Sequence, residues 1–313
     1  MRPLKIIKNR SDIGAGTRGS DIGIDALEIA AINSNNDFFN KHLFDDVETH
    51  NESIYDKVKC TFAKRIGFVL EQCERLRDNV LENLNNGFFP LVLSGDHSSS
   101  IGTMAAIQNH LRGNDFGVIW IDAHADLHTP FTTPSGNVHG MPLAAVLGNT
   151  NPLNKLNEVD NYTLSNWNKL TKLGFSFPIL KSKNLVYIGL RDIEKQEKEY
   201  IINNSIKNYS VQEIRFKGLE DFSGKIIKHF ESVKKIYISF DVDSLDPESV
   251  SQGTGTPVKN GFETVEIISI IKSLIKTKKV IALEVSEINP LLDKKGNFMA
   301  EKTFDIIKKI FNN

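Results

Sequence analysis

The chain has 313 residues, 40% of them hydrophobic and 25% charged, which is enough apolar material to bury a full core in one large α/β domain spanning residues 1–313. A formal net charge of -1 leaves no basic field to draw nucleic acid and no polybasic face for anionic lipid, and nowhere do 18 apolar residues run consecutively. The opening MRPLKIIKNRSD holds no apolar stretch long enough for a secretory leader, so a soluble, cytoplasmic protein with no nucleic-acid or membrane partner is expected.

In chain order, LKII at 4–7 reads as a first short strand. The Gly-rich stretch from Ile13 to Gly19 invites a dinucleotide-loop reading. Its spacing is not followed by a tight helix start with a ribose-binding acid, so a plain βα loop is expected instead. Residues 33–52, rich in Asn and Asp, form a polar connection. A long helix is expected from about Ile54 to Leu84, with Val58, Phe62, Ile66, Val69, Leu70 and Cys73 on one stripe that packs on a sheet. Cys60 and Cys73 both fall in it, separated by ~20 Å of helix rise, and read as small apolar residues rather than a disulfide or thiolate ligands.

Five apolar runs then each stop on a charged or metal-capable residue: PLVLSGDH at 90–97, VIWIDAHAD at 118–126, LVYIGLRD at 185–192, IYISFDVD at 236–243 and VIALEVSE at 280–287. Short β-rich runs separated by helical patterns read as parallel strands of an open α/β sheet, and ligands sit at the carboxyl ends of such strands. The intervening helices are expected at Ser98 to His110, Phe262 to Lys276 and Lys302 to Phe311, with a polar excursion containing Trp167 over 149–184. No repeat or domain boundary interrupts the series.

The ends of three runs carry the chemistry. In Asp122-Ala-His124-Ala-Asp126, alternate residues of an extended segment face one way, so three ligand-capable side chains project together where the strand leaves the sheet. Asp241-Val-Asp243 repeats the device, and His97 arrives from a third run. Any one of these residues alone is more simply a surface acid or histidine at a strand end. All six together are not, because four carboxylates crowded on one rim raise one another's pKa unless cations compensate them. Two divalent ions supply the matching four charges. Oxygen-rich ligation with some imidazole suits Mn²⁺, and two such ions roughly 3.5 Å apart can share a water whose pKa falls towards neutrality.

The ordered set SGDHS, IDAHAD, SFDVDSLDP and EVSEINP resembles the ureohydrolases, the binuclear manganese enzymes that include arginase, agmatinase and formimidoylglutamase, over nearly the whole chain. The resemblance implies a three-layer α/β/α fold around a central, mostly parallel eight-stranded sheet, two Mn²⁺ per chain held by His97, Asp122, His124, Asp126, Asp241 and Asp243, and a homo-oligomer, trimer or hexamer. The segment from His128 to His139, HTPFTTPSGNVH, is most similar to that of arginases. In those, the residues matching Ser135 and Asn137 hold the substrate's α-carboxylate, although composition alone would make the segment a plain Ser/Thr/Gly/Pro turn.

His139 is the expected proton carrier, since an imidazole passes protons near neutral pH and the departing amine needs one; a loop histidine with a backbone partner is the alternative. Resemblance assigns Glu287 to the guanidinium and places Thr256 beside the same group. Two positions depart from the arginase pattern: Glu194 stands where Asp usually receives the α-ammonium, and His128 where Asn usually contacts the α-carboxylate. Ser94 for Gly before GDH and Ile24 for Pro are smaller departures. The expected activity is hydrolysis of L-arginine to L-ornithine and urea, with Asp126, His139 and Glu287 in the catalytic group. Agmatinase, guanidinobutyrase, formimidoylglutamase or a non-catalytic metal-binding homologue are the alternatives.

Overall fold

In the computed structural model, which describes residues 2–149 and 154–311, eight strands form one sheet. They are β1 (Leu4–Asn9), β2 (Leu43–Asp46), β3 (Phe89–Ser94), β4 (Gly117–Ile121), β5 (Leu185–Ile188), β6 (Lys207–Tyr209), β7 (Ile236–Asp241) and β8 (Val280–Ser286). Their order across the sheet is β2-β1-β3-β8-β7-β4-β5-β6, and every pairing is parallel. The sheet is thus wholly, not mostly, parallel. Strand β8, last in sequence, lies near the middle between β3 and β7.

The central strands are apolar on both faces, as a covered parallel sheet requires. Neighbouring residues feed opposite cores: Val92, Val118, Trp120 and Tyr187 pack on one side, while Leu91, Leu93, Ile119, Ile121 and Ile188 pack on the other. Helices α1 (Gly23–Asn33) and α2 (Phe38–Lys41) follow β1, and α3 (Ile66–Asn85) and α4 (Ser100–His110) flank β3. After β4 come α5 (Pro142–Val146) and α6 (Asn161–Leu170), then α7 (Lys195–Asn203), α8 (Val211–Lys217), α9 (Leu219–His229), α10 (Thr264–Lys276) and α11 (Phe298–Phe311). The first core collects α3 to α6, and the second collects α1, α8, α9, α10 and α11, giving helix, sheet and helix layers.

Several boundaries differ from the sequence reading. The helix expected from Ile54 begins at Ile66, because Arg65 takes a left-handed conformation (φ 57°) and the Lys64 N–H donates to Gly136 O at 2.8 Å instead of continuing a helix. Val58 is consequently exposed, and Cys60 lies outside the helix; both cysteines are nonetheless buried free thiols. The polar connection at 33–52 contains α2 and the edge strand β2. The excursion at 149–184, whose residues 150–153 lie outside the described ones, contains α6, which buries Trp167 and Leu170 in the first core.

Candidate metal centre and active site

Three loops at the carboxyl ends of β3, β4 and β7 build the floor of the site. After β3, the backbone turns tightly through Gly95 and Asp96, and the Asp96 carboxylate accepts from Ser98 N and Gly14 N, both within 2.9 Å, delivering His97 just ahead of α4. After β4 the chain bends at Ala123, His124 forms a parallel bridge to Asp192, and Asp126 then adopts φ 51°. After β7, Asp241 accepts from Asp243 N at 2.7 Å, which fixes both acids on one turn.

These side chains meet in two lobes. His97 Nδ1 lies 3.0 Å from Asp122 Oδ2 and 3.1 Å from both Asp126 Oδ2 and Asp241 Oδ2. His124 Nδ1 lies 2.8 Å from Asp243 Oδ2 and 3.6 Å from Asp122 Oδ1. Asp122 therefore gives one oxygen to each lobe, and the two groups His97, Asp122, Asp241 and Asp122, His124, Asp243 each bring their ligand atoms within 4.8 Å of one another.

The donor chemistry fits divalent metal. His97 Nδ1 and Asp122 Oδ2 are buried without a hydrogen-bond partner, a costly arrangement unless a cation joins them. The other ring nitrogen, Nε2, lies 2.7 Å from Ser239 Oγ; donating there leaves Nδ1 its lone pair. The His97 ring also stacks on Trp120, 4.0 Å between centroids.

Burial and the neighbouring Asp122 push Asp126 up to about 7. Asp241 stands well above the usual carboxylate range through burial and Asp243, and Asp243 is raised by burial and Asp122. Asp122 alone is held low in spite of its burial, by the His124 and His97 imidazoles beside it. Without a cation these acids compete for protons. With one they become ligands.

The second lobe opens into a cavity of about 220 Å³. His139 Nδ1 lies 3.0 Å from Glu287 Oε1, which also accepts from His97 N at 2.9 Å. Burial would lower the His139 pKa, but the Glu287 carboxylate outweighs it and pushes the imidazole up to about 9. Glu287 is lowered despite burial, chiefly by His139. Like Asp126, Glu287 has a left-handed backbone, φ 68°; non-glycine residues held this way cluster at functional sites.

The rim is less buried. Ser135 Oγ accepts from Asn137 N at 3.2 Å, and Thr256 Oγ1 donates to Asp243 Oδ2 at 3.3 Å. The two departures from the arginase pattern touch each other: His128 Nε2 lies 3.3 Å from Glu194 Oε2, so the extra methylene of Glu194 brings its carboxylate onto His128. All thirteen residues singled out in the sequence line this one cavity.

The sequence marks Asp192 as the end of the LVYIGLRD run without a role for it, and Glu197 and Ser239 were missed. Glu197 accepts from Glu194 N at 3.0 Å and from Leu127 N at 3.0 Å, so it ties the start of α7 to the segment after β4; the Glu-x-x-Glu spacing was its signal. Asp192 Oδ2 lies 3.8 Å from His124 Nε2. Ser239 sits inside β7, where nothing in the sequence distinguishes it from a core position. The Gly14 loop, with no cofactor role expected, receives His139 N on Gly14 O at 3.1 Å and so supports the backbone of a residue that lines the cavity.

A parallel α/β sheet that gathers four carboxylates and two imidazoles at its carboxyl rim defines a protein equipped to hold divalent metal. A family model described as the arginase family matches residues 4–312. The chain is 33% identical over 299 residues to an arginase of Bacillus caldovelox, covering 95% of this chain and 94% of that one, and 32% identical over 322 residues to an arginase of Brevibacillus brevis, covering 98% and 97%. The native structure of the B. caldovelox arginase superposes with a TM-score of 0.84 at 31% identity, over 100% of this chain and 99% of that one. The chain belongs to the arginase family.

Proposed function

We propose that this protein is an arginase that hydrolyses L-arginine to L-ornithine and urea with two Mn²⁺ per chain. The observation that carries the reading is a single cavity whose floor is the shared-carboxylate donor set and whose rim presents Ser135, Asn137 and Glu194, the groups suited to an α-amino acid. His97, Asp122, Asp126 and Asp241 would hold one ion, and Asp122, His124 and Asp243 the other. Bound there, the ions supply Lewis-acid activation of water and stabilise developing negative charge.

The remaining work falls to side chains of this chain. Glu287, itself anchored by His97 N and His139, offers a carboxylate to the planar guanidinium. Thr256, bonded to Asp243, stands beside the same group. His139 carries a proton on an imidazolium that Glu287 stabilises, and passes it to the ornithine nitrogen as the carbon–nitrogen bond breaks. Ser135 and Asn137 donate to the α-carboxylate, and Glu194, backed by His128, accepts from the α-ammonium.

The test is a panel of L-arginine, agmatine, 4-guanidinobutyrate and formimidoylglutamate, assayed with Mn²⁺ and with chelator. L-Arginine is expected to turn over fastest and only with metal; a better rate on a compound lacking the α-amino acid group would sink the assignment. Among the described residues no helix is long and apolar enough to cross a membrane. Family resemblance supports a cytoplasmic homo-oligomer, trimer or hexamer, which light scattering of the manganese-loaded protein would measure.

A further inference from the structure

Asn137 reaches the cavity from a turn that the segment before α3 supports from behind. The Lys64 N–H donates to Gly136 O at 2.8 Å, Gly136 has φ 74°, and a Cβ added there would collide with Thr61 O. The Lys64 side chain then comes round to the Asn137 amide, Nζ donating to Oδ1 at 3.1 Å. An ammonium has only donors, so it selects the amide oxygen and turns the NH₂ away from itself. On that other side lies Gly16, where a Cβ would collide with Asn137 Nδ2. The amide is thus fixed between a cation at its oxygen and a bare glycine at its nitrogen. Asn137 lines the cavity, whereas Lys64 does not.

We infer that Lys64 is a positioning residue that sets the preference for carboxylate-bearing substrates, by holding Asn137 with its NH₂ as donor and by placing a positive charge behind it. The inference rests on the reading of Asn137 as an α-carboxylate donor. Lys64 ranks as a specificity determinant because a rotated amide would present its oxygen to the substrate's carboxylate, and a charge-assisted bond to Oδ1 polarises the opposing N–H groups. A substrate without the carboxylate gains nothing from either effect.

The experiment compares L-arginine with agmatine, as substrate or as competitive inhibitor, on manganese-loaded wild type, Lys64→Met and Lys64→Arg. For Lys64→Met, KM for L-arginine is expected to rise ~10-fold or more, the loss of one charge-assisted hydrogen bond, with kcat within about twofold and the agmatine constant unchanged. Lys64→Arg, which keeps donor and charge, is expected to recover most of the affinity. Should Lys64→Met give no folded protein, Lys64→Gln carries the same comparison. Equal losses on arginine and agmatine, or no change on arginine, would overturn the inference while leaving the arginase reading intact. A wild type that prefers agmatine would instead overturn both.

Discussion

At the scale of single residues, the site turns on one carboxylate. Asp122 gives Oδ2 to the lobe around His97 and Oδ1 to the lobe around His124, whereas Asp126 and Asp243 each meet one imidazole. Substituting Asp122→Asn is therefore expected to weaken both ions together, lowering manganese affinity by more than the ~10–100-fold typical of an outer-sphere partner, with the loss of activity tracking the loss of metal. Metal analysis of the purified variant checks this, and two ions retained at wild-type affinity would refute the shared-ligand role. Much of this constellation was legible beforehand. DxHxD and DxD mark themselves as close-set donors at strand ends, although the extended alternation expected of both gives way to a bend at Ala123 and to a 3-10 turn over Val242–Ser244 that brings Asp243 N back onto Asp241. Ser239, and the place of Asp192 beside His124, were illegible because they come from facing His97 and His124 across the site, a relation between distant segments.

At the scale of elements, the turn at 133–137 shows how backbone conformation holds a recognition surface. Gly136 combines φ 74° with a close approach to Thr61 O, and its N–H donates to Thr133 Oγ1 at 2.9 Å. Gly136→Ala is expected to cost about 1 kcal/mol or more from the left-handed backbone and to displace the turn. KM for L-arginine should rise several-fold while manganese stoichiometry stays at the wild-type value, because no metal donor lies on this turn. A variant with unchanged KM would show that the turn does not shape the substrate end. The apolar strands were recoverable from sequence because a doubly covered parallel sheet writes itself as runs of Val, Ile and Leu. The edge strands β2, with LFDD, and β6, with KNY, carry no such run, since one flank of each is open to solvent. The start of α3 was misplaced for a different reason: the stripe through Val58 and Phe62 continues the helical period, but contact with Gly136 claims the backbone first.

At the scale of the whole molecule, metal loading couples to pH and stability. Asp126 lies near 7, and Asp241 and Asp243 are also raised, so protons occupy these oxygens at pH values where ordinary carboxylates are free. A metal ion must displace those protons. Its apparent affinity is therefore expected to tighten as pH rises towards and through about 7, with proton release on binding, and to weaken on the acid side. Calorimetry in buffers of differing ionisation enthalpy reads this directly; a pH-independent affinity between 6 and 8 would contradict it. With ion at about 100 times its dissociation constant, the folded state gains about 2.7 kcal/mol, so chelation should lower the Tm by several degrees.

The position of β8 has a consequence for how the protein comes into being. Residues 280–286 join two strand groups, β2-β1-β3 and β7-β4-β5-β6, that share no pairing without them. His97 belongs to the first group, and all four aspartates of the centre belong to the second. During synthesis the acids are thus made before the strand that joins the two halves of the sheet. The donor set proposed for metal is thereby framed on both sides only once the sheet is continuous.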